Sequence, residues 1–187
     1  VLNSAGQIMD RMAELKALSQ DVLKNSSDIA NYNAEFQNLQ VQLFQMSETK
    51  FNGVSLFGAG TNAIFGDTTN TKKVTVSIFT SATGESGSLV SINKSMLLSA
   101  LTIVSNTLGS VTHTNASNAG AADSVGNFTF AVSTSAGAMT LDKVSVAVFT
   151  QALQNVATLR AENGGSVSRL QFAKESASAQ KTNLEAA

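Results

Sequence analysis

His113 is the only imidazole in a chain of 187 residues that contains no cysteine. A multi-histidine metal centre, a thiolate nucleophile, a thiolate metal site and a disulfide framework are therefore all excluded. His113 itself sits in the polar run Thr112-His113-Thr114-Asn115, where a solvated ring is the expected state rather than a catalytic one. Gly58-Ala59-Gly60 comes nearest to a phosphate-cradling loop, but a third glycine at the right spacing and a following helix are both missing, so it reads as a turn after a strand. Asp10 and Glu14 share one helical face, a spacing open to paired-carboxylate chemistry. Arg11 and Lys16 beside them make a solvated charge lattice the better description. No nucleophile stands in a recognisable pattern with a base. The chain is expected not to be an enzyme and to use no cofactor or metal.

Twelve Lys and Arg against thirteen Asp and Glu leave a formal net charge of -1. A general nucleic-acid binder would carry a basic excess, so no nucleic-acid partner is expected. No apolar run approaches the roughly 18 residues that span a bilayer, so no membrane insertion is expected either. The segment beginning at Val1 has neither a basic nor an apolar leader pattern, and is read as a mature or trimmed chain.

What the sequence does specify is helical seams. Proline is absent, which favours long uninterrupted elements. Leu2, Ala5, Ile8, Met12, Leu15, Leu18 and Val22 recur in steps of three and four, the spacing of one helical face. The run Lys24-Asn25-Ser26-Ser27-Asp28 interrupts this pattern and offers caps for a second helix. Ile29, Tyr32, Phe36, Leu39, Leu43 and Met46 then step 3-4-3-4-3, a coiled-coil seam. That helix is expected to stop near Ser47, before a turn at Phe51-Asn52-Gly53. From Leu141-Asp142 onward, Phe149, Leu153, Val156, Asn163, Val167 and Leu170 continue a seam in heptads, with Arg160 at the remaining position. A helix from 142 to 187 would be on the order of 65 Å long. Its Gly164-Gly165 pair costs roughly 2 kcal/mol of helix propensity and leaves a thin surface that a neighbour can approach closely.

Residues 61–140 differ in kind, holding six charged side chains and twenty-seven Ser or Thr. Period-two alternation marks Lys73 to Phe79 as a strand and Asn127 to Val132 as another. Ile92, Met96, Leu97, Leu101 and Val104 suggest a short amphipathic helix between them, and Gly- and Ser-rich punctuation at 58–60, 84–88 and 109–126 marks loops. The expected fold is α+β, mainly α. N- and C-terminal helices form an elongated antiparallel bundle, 1–58 with 141–187, around a β-rich insert at 59–140. Ile29, Tyr32, Phe36, Leu39, Leu43, Met46, Leu153, Val156 and Leu170 are its expected core.

Three segments carry a family likeness. They are Asp10-Arg11-Met12-Ala13-Glu14-Leu15, then Met46-Ser47-Glu48-Thr49-Lys50-Phe51-Asn52-Gly53 followed by Val54-Ser55-Leu56-Phe57, and Ala152 to Arg160 followed by Gly164 and Arg169-Leu170. In these segments, and in their order at the two ends, the chain resembles the bacterial flagellins. It departs from them in having one residue fewer between Ser47 and Thr49, Ser168 where Asn is customary and Gly165 where Ala is.

The resemblance implies a core fragment without the terminal polymerisation helices, from a secreted subunit of the extracellular bacterial flagellum. It implies a motility role by self-assembly with other flagellin subunits, and dealings with flagellar export and capping proteins. Arg11, Leu15 and Glu35 match the helix face that docks between subunits and is read by the Toll-like flagellin receptor. The hook–filament junction protein shares these end motifs and is the alternative within the same assembly. An adhesive or ligand-binding module displayed on a flagellin scaffold is the alternative of a different class.

Overall fold

In the computed structural model, described over residues 1–58, 65, 75–80, 89–104 and 127–186, two helices at the start form a hairpin. The first, α1, spans Leu2–Ser19 and the second, α2, Ser26–Ser47. Asn25 explains the restart. Its side chain accepts from the Asp28 amide at 2.8 Å while the Asp28 carboxylate accepts from the Asn25 amide at 3.3 Å, a reciprocal cap that satisfies two otherwise orphaned donors. α1 ends earlier than its apolar pattern suggests. Val22 lies in the connecting turn and is 95% exposed, so it does not extend the seam.

After α2 the chain makes a tight hairpin of β1 (Lys50–Phe51) and β2 (Val54–Ser55). Asn52 and Gly53 both adopt positive φ, 53° and 80°, as a two-residue turn matching strand twist requires. Two further antiparallel pairs follow. β3 (Thr75–Phe79) pairs with β4 (Leu89–Asn93), and β5 (Thr102–Val104) pairs with β6 (Asn127–Thr129).

The helix expected through 92–104 shrinks to the single turn α3 (Leu97–Ala100). Ile92 pairs with Val76 in one ladder, and Ile103 pairs with Phe128 in the other. For β-branched residues a ladder with a partner strand outweighs a weak helical spacing. The loops expected at 84–88 and 109–126, the second half of that at 58–60, and His113 lie outside the described residues.

The last helix, α4, spans Val146–Ala186 without interruption. It begins later than expected because Leu141–Lys143 forms a separate 3-10 turn. Lys16 Nζ donates to the Leu141 carbonyl at 2.7 Å, and at the other end of α1 Leu2 borders the same groove as Ala157 and Gly164. α1 and the first half of α4 therefore run antiparallel.

One core joins these elements. Ala5, Met9, Met12 and Leu15 from α1, Phe36 and Leu43 from α2, and Val148, Phe149, Ala152, Val156 and Leu159 from α4 are all buried. Leu97, Leu101, Ile103, Phe130 and Met139, from the region expected to form an insert, enter the same cluster. The Phe149 ring stands 6.0 Å from Phe36 and 5.0 Å from Phe130 between centroids, within the range of favourable aromatic pairs. The described chain is thus mainly helical α+β with small antiparallel sheets, and packing continues across the expected boundary at 140/141.

Of the expected core, Phe36, Leu43 and Val156 are buried, and Tyr32, Leu39, Met46 and Leu153 are half-buried against it. Ile29 and Leu170 are half-buried outside that cluster. Leu170 lies past Leu159, the last buried residue of α4. Past Leu159 the described side chains of α4 are all exposed or half-buried.

Candidate inter-subunit surface

Arg11 and Glu35 face each other because the α1–α2 hairpin folds their two helices together. Arg11 Nε donates to Glu35 Oε1 at 2.7 Å and Nη2 donates to Oε2 at 3.1 Å, a two-pronged pair, while Nη1 donates to Glu14 at 2.8 Å. The planar guanidinium matches a carboxylate in this fork geometry. The bond from Arg11 holds the Glu35 carboxyl below the usual carboxylate range. The bonds to Glu35 and then Glu14 push the Arg11 guanidinium above its ordinary value. Both side chains remain about two-fifths exposed, so water and salt weaken the attraction and the pair contributes little to stability. It can instead display a fixed polar patch in which Glu14 leaves an excess of negative charge.

Leu15, grouped with these two on the sequence, is fully buried. One helical turn from Arg11 it points into the core, so it supports the patch from beneath and offers no side chain to a partner.

A second polar cluster includes Lys16, which is buried and not part of the solvated charge lattice expected of it. Gln40, wholly buried, donates from Nε2 to the Met139 carbonyl at 2.8 Å and accepts from the Met139 amide at 3.1 Å. Asn33 Oδ1 accepts from the Leu141 amide at 2.8 Å, and Lys16 takes the Leu141 carbonyl. Three side chains from α1 and α2 thereby clamp the strap at 139–141 that leads into α4. Burial pulls the Lys16 amine below its ordinary value, opposed by the charge of Asp142. The Asp142 carboxyl is itself lowered, first by the hydrogen bond that the Thr140 hydroxyl donates to it and then by Lys143, 3.4 Å away.

The signal for Met9, Lys16 and Gln40 was present in their spacing. Met9 lies four residues after Ala5, Lys16 four after Met12, and Gln40 four after Phe36. Their apolar neighbours Ile8, Leu15 and Leu39 drew the seam one position aside.

No protein-family model matches the chain, and no curated protein matches it. Among the described residues no group of three or more His, Cys, Asp or Glu is placed to hold a metal ion, and no helix is long and apolar enough to cross a membrane. The arrangement offers helix faces, an ordered ion pair and exposed apolar side chains, which are the means of recognising a protein surface.

Proposed function

We propose that the chain is a structural subunit of the bacterial flagellar filament, secreted and assembled outside the cell with further copies of itself. The observation that carries the reading is the antiparallel packing of α1 on the first half of α4. It unites the segments at opposite ends of the sequence on which the resemblance rests, as an elongated flagellin-like bundle demands. The hairpin of β1 and β2 holds the remaining segment at the end of α2. No catalytic role is proposed. Export and capping proteins would be transient partners, and the Arg11–Glu35 patch is the part of the receptor-matching face that is open to a partner.

An antibody raised against this chain and applied to sheared flagella tests the proposal by electron microscopy. Continuous labelling along the filament is expected. Labelling confined to the boundary between hook and filament would favour the junction protein, and unlabelled flagella would overturn both.

A further inference from the structure

The two ends of α1 carry different surfaces. At the turn between α1 and α2, Val22 and Leu23 are 95% and 88% exposed. Aliphatic side chains so fully in water gain from any apolar surface that covers them. Asp21 beside them accepts from the Leu23 amide at 3.0 Å, which fixes the shape of the tip, and it forms no ion pair among the described residues.

About 27 Å away, at the other end of the 18-residue α1, a groove of about 780 Å³ opens between the start of α1, the segment after β2 and the middle of α4. Leu2 and Phe57 wall it together with the polar Asn3, Ser95 and Asn163, and Ala157, Ala161 and Gly164 keep the α4 side low. A methyl group added at Gly164 would meet no atom within 4 Å. Arg160 lines the same groove, exposed and in no ion pair among the described residues.

We propose that the Asp21-Val22-Leu23 tip of one copy seats in this groove of a second copy. Val22 and Leu23 cover its apolar walls, and Asp21 meets Arg160. The inference rests on the filament-subunit reading and gives it an axial contact. Tip and groove lie at opposite ends of one shaft, so copies stacked end to end each keep an unused tip or groove and the contact propagates, whereas an antiparallel pair side by side would satisfy both and close as a twofold dimer. Two charges that form no ion pair among the described residues gain one across the contact.

The absence of native cysteine makes the test direct. A Leu23→Cys/Ala161→Cys chain, oxidised at high concentration, is expected to give a ladder of trimers and larger species on a non-reducing gel, whereas each single variant stops at dimers. Adding Asp21→Lys or Arg160→Asp to the double-cysteine chain should abolish the ladder, and adding both should restore it. All these positions are exposed or open, and circular dichroism checks that the variants keep their helix content. A double-cysteine chain that stops at dimers, or a ladder indifferent to charge reversal, overturns the contact. The two levels of the reading separate cleanly. Filaments that carry the chain yet assemble normally with Asp21→Lys would remove the contact and leave the filament role, whereas a charge-dependent ladder from a chain absent from flagella would do the reverse.

Discussion

Gln40 and Met139 stand 99 positions apart in sequence and exchange two hydrogen bonds, with the Gln40 carboxamide serving both the amide and the carbonyl of Met139. The side chain imitates one rung of a β-ladder inside an apolar core. Without it, the strap entering α4 would bury two unsatisfied backbone groups.

Replacing Gln40 by Leu should therefore destabilise the fold by about 2–4 kcal/mol, because each orphaned backbone group costs about 1–3 kcal/mol and the gain in apolar burial offsets part of that. Urea unfolding measures the change. A loss under about 0.5 kcal/mol would mean that the strap finds other partners.

Phe149 touches Phe36 of α2 and Phe130 of the segment after β6, so it ties three parts of the chain to α4. Phe149→Ala should cost about 3–5 kcal/mol and lower the urea midpoint as a single cooperative transition. Separate transitions for the helical ends and for residues 89–140 would show that they do not share one folding unit.

Lys16 gives the pH dependence an unusual sign. Its amine is depressed below the ordinary 10.5 by burial, so folding releases a proton between the depressed value and 10.5. Stability should rise with pH through that window, by up to about 1.4 kcal/mol per pH unit, and should be lowest below it. Lys16→Met should flatten this alkaline rise in a series of urea titrations. An unchanged slope would locate its origin elsewhere.

Glu35 acts in the opposite pH range. Its carboxyl is lowered by the bond from Arg11, so the small contribution of the pair is present above the ordinary carboxylate value and fades as pH falls through the depressed one. Glu35→Gln should remove that acid-side loss, and high salt should shrink the difference between variant and parent because both partners are exposed. Thermal melts at several pH values and salt concentrations measure both effects.

Gly164 and Gly165 lie within α4, and a methyl group at either would meet nothing within 4 Å. The thin point in the helix is thus not used by a described neighbour in the same chain. Changing both to Ala should stabilise the helix by about 1 kcal/mol at each site, seen as slower amide exchange across residues 161–186. Unchanged exchange would mean that this stretch opens independently of its glycines.

The sequence by itself determined the bounds of α2 and the turn that follows it. Heptad spacing from Ile29 to Met46, the Asn25–Asp28 cap and the Asn52-Gly53 turn are local instructions, read within a few residues, and the structure follows them. Local spacing also limited the chemistry, since a chain with one histidine and no cysteine has few catalytic means. Tertiary structure decided the rest. Burial of Gln40 and Lys16 depends on a strap 99 and 125 residues away in sequence, and no helical periodicity encodes a partner at that distance. Whether Leu15 faces a partner or the core, and whether Leu170 has anything to pack against, depends on which helices meet and over what length. The short helix at 97–100 shows the same dependence: Val104 fits the helical spacing of Leu97 and Leu101 until a strand at Asn127–Thr129 offers it a ladder, and ladder hydrogen bonding outweighs propensity.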